Sequence, residues 1–197
     1  MGYGDKSKSY GLFNSCHLVK EAMVKYGYEV DIVTTTDSNS IDKEVFNHKP
    51  DYVFIEALWC LSSKVLELIN LPRYKKIQWF VRVHSKSEFM AHEGMAYSYL
   101  LEYAEIAKKH KNFKITFNSP QPISDFKNSL SIKTEYAPNI YLFNKVKHKM
   151  NHSDYLKIGV FGALREFKAH INQALGALEF AEKNNFIIEF HINISTP

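Results

Sequence analysis

Residues 156–193 read LKIGVFGALREFKAHINQALGALEFAEKNNFIIEFHIN. The order of apolar run, tight turn, amphipathic run and apolar run spells one βαβ unit. A strand ending at Phe161, a close turn at Gly162 and a helix starting near Phe167 would leave free backbone N–H groups and a positive dipole end at the turn. Arg165 can fork onto a phosphate, and Lys168 adds a point charge one helical turn away. The turn is therefore expected to hold an anion; the plainer reading is a strand-to-helix turn with exposed basic residues. It carries neither a GxGxxG nor a P-loop pattern.

Working outward, residues 142–155 have no clean period and carry Lys145, Lys147, His148, Lys149 and His152. They read as a basic linker, and as a solvated loop in preference to a dedicated nucleic-acid contact. Upstream of it, strands alternate with helices. YEVDIVTT (28–35), DYVFIEAL (51–58), KIQWFVRVHS (76–85), FKITFNS (113–119) and KTEYAPN (133–139) read as five strands. The second is so apolar that cover on both faces is expected. Leu12, Cys16, Val19 and Met23 recur at helical spacing, with Gly27 as the closing residue. Further helices are expected from Asp37 or Ser40 to Asn47, from Ser63 to Ile69, from Glu88 to Lys109 and after Pro120 and Pro122. The long one has Tyr97, Leu100, Leu101, Ala104 and Ala107 as its inward stripe. This alternation implies right-handed crossovers and a parallel, doubly wound α/β sheet.

At 197 residues, 45% hydrophobic and 23% charged, the chain has ordinary globular composition and length for one domain plus part of another. The 14 Phe and 12 Tyr suit a strand-rich core more than a stacking surface. A net charge of +4 favours an anionic ligand and is too small to argue for nucleic acid alone. Cys16 and Cys60 sit in apolar surroundings without CxxC spacing, as buried free thiols of a reducing compartment do. The N-terminus lacks an apolar signal core, and no apolar run reaches the roughly 18 residues of a membrane span. A cytoplasmic protein is expected.

In open α/β sheets ligands sit beyond the C-terminal strand ends. His84 lies at such an end, as a substrate contact or catalytic residue. His84, Glu88 and His92 fall four apart, yet HExxH is absent and His84 precedes the helix, so no metal is expected. Gly2, Gly4, Ser7, Ser9 and Gly11 precede a helix and either cradle a ligand by backbone N–H groups or form a frayed terminus. Asn118 and Ser119 end one strand, and Pro138 and Asn139 another, facing the same crevice; turn chemistry alone also explains them. No paired carboxylates, Ser-His-Asp signature or cysteine-nucleophile motif stands out.

With these residues in place, the chain resembles GT-B glycosyltransferases, close to the retaining group that uses nucleotide sugars. SYGLFNSCHLVKEAMVKYGYEVDIVTT (9–35) looks like a glycine loop, first helix and second strand. HKPDYVFIEAL (48–58) is similar to the family's third strand, and TEYAPNIY (134–141) to the turn that ends the acceptor-side domain. LKIGVFGALREFKAHINQAL (156–175) resembles the opening of the nucleotide-sugar domain. The resemblance implies a Rossmann-like acceptor-side domain over 1–141, a linker over 142–155 and an incomplete βαβ donor unit over 156–197. It places Lys168, with Arg165 and Gly162, on the donor diphosphate, and His84 near the transferred sugar. Gly4, Ser9, Gly11, Asn118 and Asn139 would position acceptor or sugar. The nucleotide sugar is a substrate, and neither cofactor nor metal is required. A likeness to bacteriophage-type members admits DNA or another polyanion as acceptor.

Two departures stand against the family pattern: no apolar strand precedes the glycine loop, and the further βα units expected after Asn193 are absent. Ala163 also occupies the position of the family arginine. The βαβ unit is accordingly expected to pack onto the first domain, or to find a second copy or a missing C-terminal half. The alternative is a non-catalytic Rossmann-type binding domain.

Overall fold

The computed structural model describes residues 10–92, 94–142, 154–163 and 169–195, with backbone alone at 10, 161–163 and 193–195. The chain divides into two units, Met1–Leu142 and Phe143–Pro197. Among the described residues no helix is long and apolar enough to cross a membrane.

The first unit is α/β. Strands β1 (Tyr52–Glu56), β2 (Gln78–Val83), β3 (Phe113–Phe117) and β4 (Glu135–Tyr136) form a parallel sheet in the order β1-β2-β3-β4. The crossovers carry α3 (Ser62–Asn70), a 3-10 turn (Pro72–Tyr74), α4 (Ser87–Met90), α5 (Ala96–Lys109) and α6 (Pro120–Leu130). Two helices precede the sheet, α1 (Tyr10–Lys25) and α2 (Ser38–His48). Local chemistry sets their ends. The Asp37 carboxylate caps α2, accepting from the N–H groups of Asn39 and Ser40 at 2.7 and 3.0 Å. Gly27, at φ 86°, closes α1 as its sequence predicts, with Gly27 N–H donating to Val24 O and Tyr28 N–H to Met23 O.

Strand alternation then builds one core. Trp79, Val81, Val83, Phe113, Ile115 and Phe117 point to one face and are buried against Leu68 of α3, Leu100 and Tyr103 of α5 and Phe126 of α6. A monotonic strand order with right-handed crossovers puts these connecting helices on that same face. The opposite face carries Tyr52, Phe54 and Phe80, where the rings of Phe54 and Phe80 stack at 4.5 Å. Tyr52 and Phe54 are exposed by 61% and 50%. The expectation that β1 is covered on both faces is therefore corrected for the described residues, while α1 does reach this second face, where Ser15 meets Arg82.

Four other expectations change. Residues 28–35 form no ladder; Tyr28 and Val33 are exposed, and β-branched residues favour a strand only where a pleated neighbour receives them. The single helix expected from Glu88 to Lys109 is broken between α4 and α5, where Gly94 takes φ 55°. Within α5, Leu101 is exposed and Tyr103 takes the buried place. Gly11 lies in the first turn of α1 instead of in a loop, with open space around the site of a Cβ.

The second unit is a βαβ step, as its sequence predicts. Strand β5 (Tyr155–Ala163) pairs in parallel with β6 (Ile187–Ser195), joined through α7 (His170–Lys183). Leu156, Ile158 and Val160 lie opposite Ile188, Phe190 and Ile192. Gly162 is a ladder residue opposite Ile194, not the turn expected of it, because pairing with β6 carries the strand on to Ala163.

Candidate functional site

Parallel pairing aligns the C-terminal ends of β1 and β2 so that Glu56 lies directly opposite Arg82. Both point to the sheet face away from the helical core. Arg82 is a buried cation, its side chain 3% exposed, and such a group persists only when paired and fully hydrogen-bonded. Its Nη1 donates to the Glu56 carboxylate at 3.3 and 3.4 Å. Its Nε donates to the Ala137 carbonyl at 3.0 Å, and Nη2 to Pro138 O at 2.6 Å and Asn139 Oδ1 at 2.8 Å. The same Asn139 oxygen accepts from the Ser15 hydroxyl at 3.1 Å. One guanidinium thus joins β1, β2, the turn after β4 and α1.

His84 follows β2 immediately. Its Nε2 meets Glu56 Oε2, which Arg82 Nη1 also reaches, and its Nδ1 faces the Asn118 amide at 3.4 Å. With Nε2–H donating to the carboxylate, Nδ1 is left as an acceptor, held only by a long contact from the Asn118 NH2 group. The His84 side chain is 18% exposed, against 3% for Arg82. Carboxylate, imidazole and amide therefore form a chain across three strand ends, with the buried guanidinium fixing the carboxylate. Such a chain can accept a proton from a hydroxyl presented to Nδ1 and stabilise the imidazolium that results.

Cys16 lies against this cluster. Burial, with the charge of Glu56 adding to it, pushes its thiol up to about 11, so it stays protonated at neutral pH. Cys60 is buried elsewhere, beside Ser38 Oγ and Leu61 O, and burial raises its thiol as well.

Of the residues singled out by sequence, His84, Asn118 and Asn139 come together here, and Gly11 lies on α1 apart from the hydrogen-bonded set. Gly162 belongs to the second unit, in β5. Gly4, Ser9, Arg165 and Lys168 lie outside the described residues. His84 precedes α4 and His92 follows it, so His84, Glu88 and His92 share no helix face. Among the described residues no group of three or more His, Cys, Asp or Glu side chains is placed to hold a metal ion.

Glu56 and Arg82 were not singled out by sequence. The available signal was a lone charge near the end of each of two otherwise apolar strands, since buried charges need partners. In the second unit, His170 is buried at the first turn of α7 and neither ring nitrogen has a hydrogen-bond partner among the described residues.

Comparison with protein-family models, with curated proteins and with solved structures finds no match to this chain.

Proposed function

We propose that the chain is part of a glycosyltransferase of GT-B type, transferring a sugar from a nucleotide sugar to an acceptor hydroxyl. The observation that supports this reading is the Glu56–His84 pair at the ends of β1 and β2, with Nδ1 beside the Asn118 amide. In the proposed step, a single displacement that inverts the anomeric carbon and so departs from the retaining group that the sequence resembles, the acceptor oxygen attacks that carbon while its proton passes to His84 Nδ1. The bond from that carbon to the nucleotide diphosphate breaks, and the bonding pair leaves on the diphosphate. Glu56 stabilises the imidazolium, Arg82 holds Glu56 in place, and Asn118 and Asn139 border the acceptor. Lys168, with Arg165, is assigned the departing charge on the strength of the sequence around it.

The test is nucleotide binding and release with the whole chain. UDP, GDP and their sugars are screened by thermal shift, and donor turnover by nucleotide release. A stabilising nucleotide is expected, its effect disappearing in Lys168→Ala. Turnover should fall about 10²- to 10⁴-fold in His84→Gln, the range of a lost general base, and by a smaller factor in Glu56→Gln. Failure of every nucleotide to bind or turn over would replace this reading with that of a non-catalytic binding domain.

A further inference from the structure

The connection leaving β1 presents a second set of groups. Trp59, three residues beyond Glu56, exposes 54% of its surface, whereas Trp79 is wholly buried in the core. Trp59 lines a cleft of about 590 Å3 between the starts of α2 and α3, together with Leu61, Asp37, Asn39, Ser63 and Lys64. Clefts of roughly 300–1,000 Å3 take small molecules. The walls are held in place. At one end of the connection Ala57 N–H donates to Arg82 O at 2.8 Å, and at the other the buried Tyr103 hydroxyl donates to Cys60 O at 2.5 Å. Asp37 is tied down as the cap of α2, and Lys64 pairs with Glu67 at 2.7 Å. By contrast, the side chains of Asn39 and Ser63 are exposed and have no hydrogen-bond partner among the described residues.

An indole on an anchored connection, facing a cleft instead of the core, is a stacking platform. Charge decides what stacks on it. The lining holds two carboxylates, Asp37 and Glu67, against one ammonium, Lys64. Lys64 is neutralised by Glu67 and the start of α2 by Asp37, so the cleft has no spare cation for a phosphate, while a neutral polyol needs none. A pyranose offers an apolar C–H face to the indole and hydroxyls that both donate and accept, matching the unused amide and hydroxyl beside it.

We infer that this cleft is a saccharide subsite, in which Trp59 stacks against a pyranose ring and Asn39 and Ser63 hydrogen-bond its hydroxyls. The inference rests on the transfer reading for its role, since it names a glycan as the acceptor; saccharide binding itself needs no donor.

The experiment titrates the whole chain with maltotriose, chitotriose and xylotriose, and separately with UMP. Binding is read by saturation-transfer NMR and by acrylamide quenching, which reaches Trp59 and not Trp79. At least one trisaccharide should shield Trp59 with a Kd on the order of 1 mM. The NMR signal should vanish in Trp59→Ala and weaken roughly tenfold in the double variant Asn39→Ala/Ser63→Ala. Circular dichroism checks that both variants are folded. Three results overturn the inference: no trisaccharide binds, UMP shields Trp59 in their place, or Trp59→Ala keeps the saccharide signal. Saccharide binding that survives His84→Gln while no donor is ever turned over would sink the transfer reading alone. Transfer that persists with Trp59 unoccupied would sink this one.

Discussion

The two units of the chain are built from the same parallel βαβ step and close to very different degrees. In the first, α5 buries Leu100, Tyr103, Ala104 and Ile106 against the sheet. In the second, α7 buries His170, Ala177 and Ala181, while Ile171 is 74% exposed and Leu175 and Leu178 are also open. Both helices have clear apolar periodicity. The difference lies in residue size on the buried stripe and in the number of strands beneath it, because burial stabilises in proportion to apolar area removed from water. Periodicity identifies a helix, and the layer below it decides how firmly the helix is held. The first unit carries a buried charge network around Arg82.

Removing that network should give the largest effect. Arg82→Met leaves the Glu56 carboxylate without its cation, and strips the donors from the Ala137 and Pro138 carbonyls. Breaking a buried pair from one side costs about 3–5 kcal/mol. Denaturant unfolding followed by Trp79 fluorescence should report that loss, while amide exchange in β5 and β6 stays as it was. Arg82→Lys should recover little, since an ammonium cannot reproduce the forked contacts. A loss below about 1 kcal/mol, the scale of an exposed pair, would mean the cluster is not a closed network.

A matched pair of leucines probes the contrast between the helices directly. Leu100→Ala, in a wholly buried position of α5, should cost about 2–5 kcal/mol through lost burial and the cavity left behind. Leu175→Ala, on the open stripe of α7, should stay within about 0.5 kcal/mol. Equal costs would show that the outer stripe of α7 is covered in solution, and the contrast would then disappear.

What the sequence made legible follows the same division between local and non-local physics. The Gly27 closure, the Asp37 cap and strands β1, β2 and β3 are settled by neighbours within a few residues, and each was readable. His84, Asn118 and Asn139 were readable because the ends of parallel strands face one crevice whatever the details. Glu56 and Arg82 were not picked out, since their partnership depends on the register that sets them opposite one another. The misreadings have the same origin. Residues 28–35 have the composition of a strand without a described partner, and Gly162 reads as a turn until the ladder to β6 absorbs it. Tyr52 and Phe54 look buried in the sequence because apolar character does not say which face a helix will cover.

The smallest expected effect compares how acid loosens each unit. In the first, the Arg73 guanidinium, donating to both oxygens of Asp42 at 2.8 and 2.9 Å, holds that carboxyl below its usual range, and the Tyr74 hydroxyl adds to it at 2.7 Å. In the second, Lys157 at 2.9 Å lowers the carboxyl of Glu189. A depressed carboxyl contributes stability that is fully present above its unfolded value, about 4, and is lost as pH falls through the folded value. The Asp42 contribution should be under about 1 kcal/mol, because both partners are more than a third exposed. Asp42→Asn should therefore flatten the acid limb of Trp79 unfolding slightly and leave neutral pH stability lower by the same small amount. Glu189→Gln should leave that limb unchanged, since the Trp79 probe reports the first unit and the Glu189 pair is wholly on the surface of the second. An acid limb that moves with Glu189→Gln and not with Asp42→Asn would mean that the two units do not unfold separately, and the comparison between them would have to be redrawn as one cooperative structure.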